Sequence, residues 1–124
     1  MIDFSNAVFV KMTPVNIKIF GHQVQPLLIP GEEIIATYQA IRDGVVFTNK
    51  RIITVNIQGF SGKKMDMTSL PYNRIQAFSV ETAGFMDFDA ELDLWFNGVG
   101  KVRFEFAPNT DIEQICQLLS TNIL

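Results

Sequence analysis

Residues 59–64, GFSGKK, are the stretch that most invites a chemical interpretation, because glycines and lysines together can cradle a phosphate group. A phosphate-binding loop has four residues between its glycines and opens a helix. Here two residues separate the glycines, and a strand pattern follows. We therefore predict a flexible hairpin tip on which Phe60 is exposed beside Lys63 and Lys64.

Four acidic residues share one face of a predicted strand, spaced about 7 Å apart along it. They are Asp87, Asp89, Glu91 and Asp93. Clustered oxygens bind calcium, but a flat strand spreads its ligands instead of surrounding an ion. We expect a solvated acidic face, or one that meets a basic patch on a neighbouring subunit, for example Lys63 and Lys64.

Nucleophilic or metal-dependent catalysis is not expected. The one histidine, His22, lies in the least legible part of the chain, and the one cysteine, Cys116, lies on the apolar stripe of a predicted helix. A thiol buried in apolar surroundings is inert. No serine occupies a Gly-x-Ser-x-Gly motif, and no cysteines and histidines cluster as metal ligands do. We predict no enzyme activity and assign no catalytic, cofactor-binding or metal-binding residues.

The composition predicts surplus apolar surface. Apolar residues make up 48% of the 124-residue chain, and the mean hydropathy is +0.19. A domain of this size buries about two-thirds of its unfolded surface, so the excess needs a subunit interface or a denser core. The net charge of −3 argues against nucleic-acid binding, which requires a basic face, and less strongly against an anionic membrane.

The sequence also favours a cytoplasmic location. A single cysteine forms no intrachain disulfide and suits a reducing compartment. The first residues, MIDFSNAVF, lack the basic start of a signal peptide, and no apolar run is long enough to span a membrane.

From residue 32 onward, apolar residues recur at every second position, which is typical of half-buried strands. We predict seven strands, at residues 34–40, 45–48, 51–58, 64–69, 74–82, 87–96 and 101–106. The fifth departs from simple alternation, which indicates a bulge or a bend. A C-terminal helix follows, capped by Asn109 or Thr110. Its apolar stripe consists of Ile112, Ile115, Cys116 and Leu119.

The last two predicted strands constrain the loop between them. In both, the even-numbered residues are apolar and should face the core, so facing residues must have numbers with an even sum. A two-residue turn at Asn97-Gly98 gives an odd sum and would turn one strand inside out. A three-residue loop at residues 97–99 gives an even sum, so we predict a bulged hairpin. The facing pairs are then Asp93 with Arg103, Trp95 with Lys101, and Glu91 with Glu105.

We interpret residues 1–30 as a lead-in segment and residues 31–124 as the domain. Thr13-Pro14 suits the start of a helix, whereas residues 15–20 alternate like a strand. We expect a short helical lead-in packed on the domain. Seven strands and one helix indicate a mainly β fold, a bent sheet or open barrel closed at one end by the helix.

Three segments together carry a family resemblance: residues 41–52 (IRDGVVFTNKRI), 58–64 (QGFSGKK) and 69–84 (SLPYNRIQAFSVETAG). In this order and spacing they resemble the bacterial pleckstrin-homology (PH) family, as does the Gly31-Glu32 entry to the first strand. The resemblance covers residues 31–122.

The resemblance implies seven strands in two near-orthogonal antiparallel sheets, closed by a C-terminal helix. It implies ring-like homo-oligomers in at least some members, and no reaction. PH domains that bind phosphoinositides carry several cations on a long loop between their first two strands. Here that loop is residues 42–44, with one cation and one anion, which counts against inositol-phosphate binding.

The favoured hypothesis is a non-catalytic assembly module that forms homo-oligomers, including rings, and presents a surface to another protein or peptide. The predicted contact residues are Thr48, Asn49, Arg51, Phe60, Lys63, Lys64 and Phe85. At residues 48–51, local turn bonding is the favoured role. The alternative is a weak adaptor for an anionic membrane surface through residues 60–64. A small-molecule sensor at the barrel mouth stays open as a third class.

Overall fold

The computed structural model describes residues 1–82, 90–108 and 110–124, and it contains one curled sheet of eight strands. In chain order these are β1 (Ala7–Val15), β2 (Ile34–Ala40), β3 (Asp43–Thr48), β4 (Arg51–Gln58), β5 (Lys64–Pro71), β6 (Ile75–Glu81), β7 (Ala90–Phe96) and β8 (Gly100–Phe106). The helices are α1 (Gly21–Val24) and α2 (Ile112–Ile123), with single 3₁₀ turns at Gln25–Leu27 and Tyr72–Arg74. The order across the sheet is β5-β4-β3-β2-β1-β8-β7-β6.

The mainly β fold with a C-terminal helix is confirmed, but the strand count of seven is wrong by one because it omits β1. Instead of a helix starting at Thr13-Pro14, β1 pairs in parallel with β8 and antiparallel with β2. Lys11, at φ 55°, lies at the register shift between Phe9 and Met12 in the pairing of β1 with β8. Two neighbouring strands supply β1 with backbone partners, so the fold overrides a local helix signal. A short helix forms only further on, at α1; the division at residue 30 stays a prediction.

The hairpin between β7 and β8 has the predicted register. Asp93 faces Arg103, Trp95 faces Lys101 and Glu91 faces Glu105, so the loop has three residues. Gly98 takes a φ of 77°, a conformation that glycine adopts without a steric cost. The irregularity predicted for the fifth strand, which is β6 in the structure, is also present, as a register shift between Ile75 and Ala77.

The main core lies inside the curled sheet and is closed by α2. Its largest side chains include Phe47, Phe104 and Phe106, and Ile115 and Leu119 of α2 pack onto it. Asp111 caps α2, its carboxylate accepting a bond from the Gln114 N–H at 3.1 Å. The predicted cap Thr110 instead donates its hydroxyl to the Ala107 carbonyl, and Asn109 lies outside the described residues.

A second apolar cluster lies on the opposite face of β3 and β4. It consists of Val46, Ile53 and Val55, covered by Val24 of α1. Because these two strands are buried on both faces, the segment between β1 and β2 is part of the packing and not an appendage.

Candidate interaction surfaces

Arg51, at the start of β4, is held by Glu32, just before β2. Its guanidinium forms a two-pronged ion pair with the Glu32 carboxylate, Nε to Oε2 at 2.9 Å and Nη2 to Oε1 at 3.0 Å. It also donates to the Ser69 hydroxyl at 3.1 Å and to the Leu27 carbonyl. The Glu32 side chain is 0% exposed and that of Arg51 21% exposed. Arg51 therefore ties together three segments that are distant in sequence.

Thr48 and Asn49, at the turn between β3 and β4, bond to the same region. We call Glu32, Thr48, Asn49 and Arg51 the polar corner. The Thr48 hydroxyl donates to Glu32 Oε2 at 2.7 Å and accepts from the backbone N–H groups of the two residues after Asn49. The Asn49 side chain accepts from the Glu33 N–H at 2.8 Å and donates to the Gly31 carbonyl at 2.9 Å. These groups bond within the chain, as expected of turn chemistry, while their role as partner contacts stays a prediction.

The electrostatics of the corner stabilise an ionised Glu32. Burial raises the pKa of Glu32, but the bonds from Arg51, Thr48 and the Ile29 N–H outweigh burial, so the pKa is lowered. The Tyr72 hydroxyl donates to the Thr48 carbonyl at 2.6 Å, and burial raises the pKa of Tyr72. Sequence reasoning missed the roles of Glu32 and Tyr72. The sequence shows Glu32 only as an acidic residue just before a predicted strand and does not show that Arg51 lies within reach of it.

The tip between β4 and β5 presents the predicted exposed aromatic. Phe60 has a relative exposure of 110%, so its ring is not packed against the described residues of its own chain. Lys63 and Lys64 are exposed, and neither forms an ion pair within the described parts of the chain. Arg42 adds a third cation by donating to the Gly59 carbonyl at 3.0 Å. We call residues 58–64 with Arg42 the basic tip.

Phe85, the remaining predicted contact residue, lies outside the described residues, as do Asp87 and Asp89 of the predicted acidic face. Glu91 and Asp93 are described, and of these Glu91 has an acidic residue opposite it on both neighbouring strands. Glu81, Glu91 and Glu105 face one another across β6, β7 and β8, forming what we call the acidic row.

The acidic row is only partly neutralised. Arg103 makes a two-pronged bond to Asp93 at 2.8 and 3.0 Å and reaches Glu91 at 3.4 Å. Burial raises the pKa of Glu91, and neighbouring Glu81 and Glu105 raise it further against the opposing effect of Arg103. Within the described residues, no group of three potential metal ligands could hold an ion.

Beside the acidic row lies an exposed apolar surface that sequence reasoning did not single out. The single tryptophan, Trp95, is 48% exposed on the outer face of β7. It lines an open groove of about 540 Å³ with Val8 of β1 and Val99 of the hairpin loop, edged by Lys101 and Arg103. We call this the Trp95 groove. The sequence does predict this exposure, because Trp95 is an odd-numbered residue in a strand whose even-numbered residues face the core.

A second groove, of about 750 Å³, lies between α1 and the start of β2. Ile17, Leu28 and Ile34 give it an apolar wall, and Lys18 and His22 stand at its side. His22 is thus on α1, whereas Cys116 is half-buried on α2.

A curled, mainly β sheet closed by a C-terminal helix is the architecture of PH-like domains. The chain belongs to the bacterial PH domain family, whose model matches residues 3–123. It is 42% identical over 96 residues to the uncharacterized protein YjqA of Bacillus subtilis (strain 168), covering 76% of this chain and 77% of YjqA.

Solved structures agree with this assignment. A DUF1696 family protein with a pleckstrin-homology domain from Shewanella loihica PV-4 aligns with a TM-score of 0.80 and 37% identity, over 93% of this chain and 99% of that one. A pleckstrin homology domain from Shewanella amazonensis SB2B aligns with a TM-score of 0.67 and 38% identity, over 89% and 90% of the two chains. In the described ranges, no helix combines the length and apolar character needed to cross a membrane.

Proposed function

We propose that this protein is a non-catalytic binding and assembly module of the cytoplasm. Its copies associate into homo-oligomers, including closed rings, and the assembly presents a surface to another protein or peptide. The observation that carries this proposal is Phe60, fully exposed on a tip that carries three cations. An exposed aromatic ring adds nothing to the buried core, and aromatic residues are enriched where proteins contact each other.

A second exposed patch, the Trp95 groove, supports assembly through a contact between two different surfaces of neighbouring copies. The Trp95 groove lies on β7, β8 and β1, whereas the basic tip lies between β4 and β5. A contact that joins two different surfaces is heterologous, and it closes into a ring when the rotation between copies allows it. The surplus apolar surface indicated by the composition is thereby covered in the assembly.

A binding role without catalysis is supported by where the polar groups are engaged. The strongest polar cluster, around Glu32 and Arg51, bonds inward and holds three segments together. A catalytic cluster would instead direct a nucleophile or base into a cleft that admits substrate.

The mass of the purified protein in solution, measured by light scattering behind a sizing column, tests the proposal. We expect one species of several subunits, and Phe60→Ser should dissociate it while the separated chains keep the circular dichroism spectrum of the folded domain. Ile29→Ser is the matched control, because Ile29 is 54% exposed but far from the tip in sequence. A monomer at high concentration, or an undisturbed mass in Phe60→Ser, would contradict the proposal.

The alternative function is a weak adaptor for anionic membranes, favoured by the three cations that the basic tip carries together with Phe60. Basic residues gain about 1 kcal/mol each near an anionic surface. Binding to phosphatidylserine vesicles should then appear at low salt, fade as salt rises and weaken in Lys63→Glu. Absence of co-sedimentation at low salt would remove this alternative.

A further inference from the structure

We propose that the basic tip of one copy docks on the β6–β8 face of the next copy, with Phe60 in the Trp95 groove and the lysines on the acidic row. This inference rests on the proposed assembly function and specifies its interface. The occupant of the face is therefore a second copy of this chain.

Charge complementarity is the first argument. Like charges directly opposite on neighbouring strands destabilise a sheet, yet Glu81, Glu91 and Glu105 stand in one line across three strands. Among the described residues, only Glu91 of the three has a cation within 4.0 Å, and Arg103 shares that contact with Asp93. A partner's Lys63 and Lys64 would relieve this repulsion, and both lysines lack an ion pair among the described residues of their own chain.

The apolar groups match as well. Phe60 is fully exposed and Trp95 is half-exposed beside Val8 and Val99, so the described residues leave both surfaces open. Aromatic pairs gain contact energy beyond the area they bury when their rings meet edge-to-face or offset. A projecting phenylalanine and an open groove of about 540 Å³ are complementary in shape.

Both kinds of contact lie within reach of one tip. Trp95 is four positions after Glu91 on β7, about 13 Å away at the rise of a strand. Lys64 is four positions after Phe60, which limits their separation to at most about 14 Å. The turn that the Gly62 N–H closes on the Gly59 carbonyl, at 3.4 Å, shortens this separation, and the long lysine side chain extends the reach again. One tip can therefore place its aromatic ring in the groove and a lysine over the acidic row together.

Complementary charge reversal tests the interface. Lys63→Glu/Lys64→Glu makes tip and face both acidic, and Glu81→Lys/Glu105→Lys makes both more basic while leaving the Arg103 bonds intact. Each double variant alone should dissociate at least tenfold more readily than wild type, since like charges now meet. Mixed in equal amounts, the two variants should assemble again in a 1:1 ratio, because every tip then finds an opposite face.

Lys18→Glu/Lys50→Glu is the matched control for Lys63→Glu/Lys64→Glu. It makes the same change of net charge, at exposed positions away from the tip. It should keep the wild-type mass. If the wild type is an oligomer but either interface variant assembles like it, or if the mixture stays dissociated, the docking geometry is wrong while assembly stands. A monomeric wild type overturns both.

Tryptophan emission supplies a readout that does not depend on charge reversal. Trp95 is the single tryptophan, and it is 48% exposed in the free chain. Its emission should shift to shorter wavelength as the wild-type concentration rises through the assembly range, whereas Phe60→Ser should keep the emission of the monomer. An assembling wild type whose emission stays constant would refute a contact at the Trp95 groove.

Discussion

Replacing Arg51 with methionine should destabilise the domain strongly, because the side chain keeps its bulk but leaves Glu32 as an unpaired buried charge. The Glu32 side chain is 0% exposed and would retain only the bonds from the Thr48 hydroxyl and the Ile29 N–H. Removing one partner of a buried ion pair costs about 3–5 kcal/mol. Domains of this kind are stable by about 5–15 kcal/mol in total, so the loss is a large share.

The same loss can be expressed as a change in the unfolding midpoint. With an unfolding entropy of about 2.1 cal/mol/K per residue, the 124-residue chain loses about 4 °C per kcal/mol. Arg51→Met should therefore lower the midpoint by about 12–19 °C. Glu32→Gln, which keeps the shape but removes the charge, should cost only about 1–3 kcal/mol. Adding Glu32→Gln to Arg51→Met should restore part of the stability, since no buried charge is then left unpaired.

The pH dependence of the unfolding free energy provides a second, independent test of the Glu32–Arg51 pair. The folded pKa of Glu32 lies below its ordinary value of 4.5, so the pair stabilises the wild type fully above that value and progressively less as pH falls through the folded pKa. In Arg51→Met, burial of Glu32 prevails and favours the protonated form instead. The difference in unfolding free energy between the two proteins should therefore shrink from pH 7 to pH 4.

Urea denaturation followed by circular dichroism at several pH values measures these differences. The double-mutant cycle of Glu32→Gln and Arg51→Met isolates the coupling between the two side chains. If Arg51→Met costs less than about 1 kcal/mol at pH 7, or if its cost is independent of pH, then Arg51 does not stabilise the fold through its ion pair with Glu32.

Three further sites, Gly44, Tyr72 and Val99, test local packing, and urea denaturation measures the effect of changing each. Gly44→Ala should cost more than about 2 kcal/mol, because its methyl group would lie 2.2 Å from a phenylalanine ring and 2.8 Å from a β2 carbonyl oxygen. Gly21→Ala, with nothing within 4 Å, should be neutral or stabilise by up to about 1 kcal/mol, and equal costs for the two would refute the packing argument. Tyr72→Phe should cost about 1–2 kcal/mol by leaving the Thr48 carbonyl without its buried partner, so a neutral result would contradict that role. Deleting Val99 should abolish cooperative unfolding, because a two-residue loop turns one strand's apolar face outward, whereas Val99→Gly should preserve it; a cooperative deletion variant would show that the register tolerates the slip.

Much of the sheet could be predicted because its signals are local. The alternation in β7 and β8 is enough to predict the register, the loop length and the Asp93–Arg103 pair, and all three are present in the fold. The parity of side chains in a strand is a strict rule, and one face of these strands is buried. The even-numbered residues from Leu92 to Phe96 and from Val102 to Phe106 accordingly lie in the core.

The N-terminal strand and the polar corner could not be predicted in the same way. β1 depends on partners about 25 and 95 residues away in sequence, Gln39 at Thr13 and Val102 at Ala7. Its local residues, including Thr13-Pro14, carry a helix signal that those partners override. The pairing of Glu32 with Arg51 likewise requires the curl of the β2–β4 hairpins, which no local pattern encodes.

The polar corner and the proposed interface occupy separate parts of the molecule, and this separation has a consequence. Glu32 and Arg51 bond inward and hold segments together, so changing them alters the free energy of unfolding. Phe60 and Trp95 are exposed, so changing them leaves the core intact and alters what the surface can bind. Substitutions in the polar corner should therefore lower the unfolding free energy at every protein concentration, whereas substitutions at the interface should lower it only at concentrations where the wild type assembles.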